Sequence, residues 1–104
     1  MFERYDSDKL FIATIRNLYL DKKTNKKTGK TGYHRTVRKG IIYDEGNNMV
    51  DITRPEEDLD EMTLQHQVQI TDVEPLYPAG VHKVVSKRQA YKQYSIKKRK
   101  LTNK

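Results

Sequence analysis

Apolar and polar positions alternate along most of this chain, and the alternation predicts strands first. In residues 9–20, Leu10, Ile12, Leu18 and Leu20 share one parity, while Phe11, Ala13, Ile15 and Tyr19 share the other. Apolar side chains on both faces require burial on both sides, or a bulge that switches faces midway. The spacing of Phe11, Ile15 and Leu18 also fits an amphipathic helix, but the Ile and Thr content favours a strand. Residues 21–32 contain no apolar side chain. They predict a long exposed loop, a kind of segment often used for function. Residues 33–43 predict a second strand, with Tyr33, Arg35, Val37 and Lys39 alternating with His34, Thr36 and Arg38. Gly40 within it suggests a bulge or bend. Residues 44–48 (DEGNN) form a hairpin turn, and residues 49–53 return as a third strand with Val50 and Ile52 inward.

Thr53 and Glu56 have the spacing of a capping box, and Pro55 suits a first helical turn. A short helix is expected over 54–62, with Leu59 and Met62 toward the core. Residues 64–70 then set Leu64, His66, Val68 and Ile70 against Gln65, Gln67 and Gln69, a half-buried strand. Residues 74–80 are a turn-rich connection, and 81–85 a short fifth strand. Ser86 and Gln89 form a second capping box, with Val85 and Ala90 as its hydrophobic staple. A C-terminal helix follows from this. A last strand with Tyr94 and Ile96 on one face competes, and the sequence leaves 86–98 open between the two. Residues 1–98 are expected to form a single domain, and 99–104 a basic, disordered tail.

The expected class is mainly β: a small four- or five-stranded antiparallel barrel or sheet, OB-like or SH3-like, with a minor helical part. Three strands, a helix and two strands are similar in order to an OB-type barrel. That resemblance implies oligonucleotide binding on the outer face of strands two and three and on the first inter-strand loop.

Composition narrows the possibilities. With 35% hydrophobic residues and no cysteine, the chain has little core to spare and no disulfide to help it. Zinc ribbons and thiol catalysis are excluded by the same absence. No apolar run approaches the roughly 18 residues of a membrane span, and residues 1–9 lack the apolar stretch of a signal peptide. A cytoplasmic protein without a cofactor is expected. The net charge of +7 favours polyanionic partners.

That charge is segregated. Residues 22–39 hold eight cations and no acid; residues 44–61 hold eight acids and only Arg54; residues 83–104 are again basic with no acid. The acidic block has an ordinary reading as the cap and solvated face of the short helix.

Catalytic motifs are weak. Gly29-Lys30-Thr31 resembles the end of a phosphate-binding loop, but Thr24 stands where the leading glycine belongs and strand residues follow. His34, His66 and His82 lack metal-site spacing, and His66 reads as a packed core residue. Residues 44–51 lack the ligand order of a calcium loop. The carboxylates of 56–61 have no cleft to shift their acidity, so no enzyme is expected.

The basic segments are the remaining signal. Lys22, Lys23, Lys26, Lys27 and Lys30 lead into Tyr33, Arg35, Arg38 and Lys39. Near the C-terminus Lys87, Arg88 and Lys92 interleave with Tyr91 and Tyr94. Cations neutralise phosphates, and tyrosine rings offer stacking surfaces for unpaired bases. All of these residues are candidate nucleic-acid contacts. The expected function is backbone-electrostatic binding with low sequence specificity, with single-stranded nucleic acid or RNA favoured. The alternative is a protein-interaction or assembly module without enzymatic activity, such as an accessory protein of a phage or mobile element. It would pair its acidic block with a basic surface, as in salt-sensitive self-association, or its basic segments with an acidic protein.

Overall fold

A computed structural model describes residues 4–18, 21–46, 48–55 and 58–102, with backbone alone for Asp21, Lys23, His34, Lys100, Leu101 and Thr102. The fold is mainly β and antiparallel. Its centre is β2 (Leu10–Asn17), flanked by β5 (Val37–Asp44) and β7 (Val68–Pro75), with β6 (Met49–Asp51) beyond β5. Around this four-stranded sheet lie a short pairing of β1 (Tyr5–Asp6) with β8 (Val84–Val85), and a separate hairpin of β3 (Asp21–Thr24) and β4 (Thr31–His34). The helices are α1 (Leu59–Leu64) and α2 (Lys87–Thr102). Among the described residues the sheet stays open, so the expected closure into a barrel is not found.

The dual burial of the first strand has a direct cause. Leu10 and its partner Tyr43 face one core with Ile41 and Ile52; Ala13, Ile15 and Ile42 face a second; and Ile12, opposite Ile41, is buried. The first core is completed by Tyr5, Leu76, Tyr77, Val85 and Ala90, and the second by Leu59 and Val68. A bulge is also present. The β2–β7 register shifts between Ile12 and Thr14, where Asp72 takes φ 53° and its carboxylate accepts from the Thr14 hydroxyl. Tyr19 and Leu20 lie outside the described residues.

Several expectations are corrected. Residues 21–32 are only partly the expected exposed loop: 25–30 form a turn at the tip, while 21–24 and 31–32 pair in the β3–β4 hairpin. The second strand is two strands, parted at Arg35 and Thr36 where the chain passes from hairpin to sheet. Gly40 makes no bulge in the β2–β5 register. It lies opposite Ala13, and a Cβ there would sit 2.8 Å from Ile15 Cδ1 and 3.0 Å from Arg38 Nη1. The short helix starts at Leu59. Its cap is Asp58, whose carboxylate accepts from the Glu61 amide, while Thr53 turns to Asp51. Glu56 and Glu57 lie outside the described residues, but Leu59 and Met62 do face the core as expected. Leu64 ends that helix, 80% exposed, and His66 sits exposed in the following turn at φ 58°. The strand begins at Val68 because the chain must first leave the helix.

Other expectations hold. Residues 44–46 turn with Asp44 Oδ1 accepting from the Gly46 amide and Gly46 at φ 85°; Asn47 lies outside the described residues. The fifth strand is the two residues of β8. Of the readings of 86–98, the helix is found, and it continues to Thr102, past the expected start of the tail at Arg99. Asn103 and Lys104 lie outside the described residues.

Candidate nucleic-acid interface

The β3–β4 hairpin is a basic arm. Asp21↔His34, Lys22↔Tyr33, Lys23↔Gly32 and Thr24↔Thr31 pair across it. Directly opposed residues share a face, so Lys22, Tyr33, Thr24 and Thr31 line one side. Thr24 and Thr31 join hydroxyls at 3.0 Å. The tip is built from local hydrogen bonds. The Asn25 amide donates to the Lys30 carbonyl, and the Asn25 side-chain oxygen accepts from the amides of Lys27 and Thr28. The Thr28 hydroxyl accepts from the Lys30 amide, and Gly29 supplies the left-handed residue at φ 71°. The backbone of the tip is thus largely satisfied internally, and Lys26, Lys27 and Lys30 project into solvent. Tyr33 is 67% exposed. The Lys23 side chain lies outside what is described.

At the root of the arm Arg35 is exposed and donates Nε–H to the Leu18 carbonyl, while the Asn17 amide bonds the Thr36 carbonyl. Lys39 lies opposite Thr14, and Arg16 opposite Val37. That register makes Arg16 and Lys39 diagonal neighbours on one face, and both are exposed. Sequence alone does not single out Arg16. Its only signal there is a charged side chain in an apolar strand; its nearness to Lys39 depends on the register.

Arg38 belongs elsewhere. Its guanidinium donates to Asp51, which is fully buried, and the Thr53 amide and hydroxyl donate to the same carboxylate. This arginine is a structural partner of a buried acid, with 19% of its side chain exposed.

The second basic group lies on α2. Ser86 Oγ accepts from the Gln89 amide and Gln89 Oε1 accepts from the Ser86 amide, which completes the expected capping box. Val85 and Ala90, the two ends of the staple, are both fully buried. Ala90, Gln93, Tyr94 and Lys97 form the covered stripe at helical spacing. Gln93 donates to the Leu76 carbonyl and Lys97 pairs with Glu74 at 3.7 Å. Lys87, Arg88 and Lys92 are consequently exposed. Tyr94 packs against the first core, so its ring is a poor stacking platform; Lys98 Nζ lies 5.7 Å from its centre. Lys87 Nζ lies 5.9 Å from the centre of Tyr91. Burial raises both hydroxyls above the usual tyrosine value. Asp51 adds to this at Tyr91; at Tyr94 Arg38 opposes and Asp51 adds.

The exposed candidates therefore fall into two groups, while Tyr94 and Arg38 are partly buried. No hydrogen bond, ion pair or ring contact among the described residues joins the arm to Lys87, Arg88, Tyr91 or Lys92. At the far end of β2 and β5 from the arm, an open groove of about 300 Å³ is lined by Asp8, Lys9, Phe11, Asp44, Glu45 and Gly46. Among the described residues no group of three or more His, Asp or Glu is placed to hold a metal ion, and no helix is long and apolar enough to cross a membrane. Comparisons with protein-family models, curated proteins and solved structures found no match to this chain.

Proposed function

We propose that this chain binds nucleic acid through phosphate electrostatics, with low sequence specificity, and that the β3–β4 arm is its main contact. The observation that carries this reading is the exposure of Lys22, Lys26, Lys27, Lys30 and Tyr33 on one hairpin, with Arg35 exposed at its root, in a stretch of sequence without an acid from 22 to 39. Arg16 and Lys39 extend the basic surface across the root. Cations so placed neutralise phosphates and release counterions. An OB-type reading of the strand order would favour the same surface. The first long strand lies between the second and fourth, and a helix separates the third from the fourth, as in an OB-type sheet without its closing strand. On that reading the arm occupies the place of the first inter-strand loop. Affinity for short DNA and RNA, measured from low to physiological salt, tests the proposal. A steep loss with salt supports it, and uniformly weak, salt-independent binding removes it.

A second reading is assembly. Asp8, Asp44 and Glu45 lie at the opposite end of the sheet from the arm, so one copy presents an acid end to another's basic end. Light scattering at low salt decides it: growth that salt reverses favours assembly, and a strict monomer argues against it.

A further inference from the structure

We infer that the β3–β4 arm is a ribbon that lies in the major groove of B-form duplex DNA. The inference rests on the nucleic-acid reading above and specifies its substrate.

The shape of the arm fits that groove. Four paired residues at about 3.4 Å each give roughly 14 Å of two-stranded ribbon before the tip. A major groove about 12 Å wide and 8.5 Å deep admits such a ribbon without distortion, whereas a minor groove about 6 Å wide takes one only where the duplex is opened or bent. Its chemistry points the same way. Minor-groove binders that bend DNA commonly insert apolar wedges between base steps. The tip, residues 25–30, contains no apolar side chain, and the arm's tyrosine, Tyr33, pairs with Lys22 toward the root, so the tip carries no wedge. The major groove of A-form RNA is too deep and narrow for side chains to read, and its wide, shallow minor groove gives a projecting ribbon no channel to enter. A single strand needs stacking surfaces. Of the tyrosines flanking the basic residues, Tyr94 is packed on the core, while Tyr33 on the arm and Tyr91 on α2 are exposed but belong to separate groups, so these rings do not form a run for successive bases.

The side of the arm bearing Lys22, Thr24, Thr31 and Tyr33 suits base edges. The tip lysines and the root cations Arg16, Arg35 and Lys39 suit the phosphates alongside. Threonine hydroxyls both donate and accept, so they fit several base edges, in keeping with weak sequence preference.

The test uses the full chain and three probes of one sequence: a DNA duplex, an RNA duplex and a DNA single strand. The expected result is DNA-duplex affinity about tenfold above either other probe. A major-groove dye such as methyl green should displace the protein, and a minor-groove binder such as netropsin should not. The double variant Thr24→Val, Thr31→Val keeps every charge and is expected to lose duplex affinity several-fold with an unchanged salt slope; circular dichroism checks its fold. Equal or tighter binding to RNA duplex or single strand, or displacement by netropsin alone, overturns the groove assignment while leaving nucleic-acid binding intact. Absence of salt-dependent binding to all three probes overturns both.

Discussion

The Arg38 guanidinium donates to the Asp51 carboxylate across the β5–β6 pair, and the acid it meets is fully buried. One of the chain's many cations is thereby withdrawn from the surface to neutralise an interior charge. Removing one partner of such a pair typically costs about 3–5 kcal/mol, because the other is left buried and uncompensated. Arg38→Gln is therefore expected to destabilise the fold by that order in urea unfolding. At temperatures where the variant remains folded, its affinity for nucleic acid should match the wild type. A large affinity loss in a folded Arg38→Gln protein would mean that Arg38 contacts the ligand after all.

Gly40 belongs to the same neighbourhood. An added Cβ meets Ile15 Cδ1 and Arg38 Nη1. Gly40→Ala should cost about 1–3 kcal/mol by overpacking. Its effect should be non-additive with Arg38→Gln, because both act on the guanidinium position. Denaturation of the two single variants and the double variant measures this coupling, and simple additivity would dissociate the glycine from the ion pair.

The two helix caps make separable predictions. Ser86→Ala and Asp58→Ala should each cost about 1 kcal/mol, since each removes an acceptor for a first-turn amide. Thr53→Ala should act through Asp51 instead. It deletes a hydroxyl donor to a buried carboxylate, so its effect should shrink in an Arg38→Gln background where that site is already disrupted. Equilibrium unfolding of the set distinguishes a cap from a network member.

What is legible in the sequence follows from local chemistry. Ser86 and Gln89 announce a capping box because its atoms lie within one turn, and Val85 and Ala90 announce the staple. Apolar residues on both parities of 9–20 announce a strand covered on two sides. Non-local pairing is hidden. The arm carries no apolar alternation, so nothing in residues 21–32 distinguishes a paired ribbon from a loop. Asp58 lies among other acids and does not stand out from Thr53 as a cap. His66 matches an inward parity, yet the chain is still leaving α1 there. Arg38 and Lys39 look alike as adjacent cations, but strand alternation turns one to a buried acid and the other outward.

Alkaline pH should weaken the fold. Burial raises the Tyr5 hydroxyl, with Tyr91 and Tyr43 adding to it, and burial raises Tyr77. Both are then more readily ionised in the unfolded chain than in the native one. The stability they contribute is complete below the ordinary tyrosine value near 10 and falls as pH rises above it. Unfolding midpoints taken from about pH 8 to 11 should be flat at first and then drop, and Tyr77→Phe should lessen the drop. A midpoint that stays level across that whole range would contradict this.

The proposed nucleic-acid binding rests above all on the arm. The most direct measurement is the slope of log affinity against log salt for a short DNA duplex, in the wild type and in a Lys26→Gln, Lys27→Gln, Lys30→Gln variant. Each phosphate left without its lysine should flatten the slope by about 0.9, so the three together should remove roughly two to three units. The variant should retain the wild-type fold, because these side chains are exposed at the tip. An unchanged slope in the folded variant would place the phosphate-binding surface elsewhere and contradict the assignment of the arm.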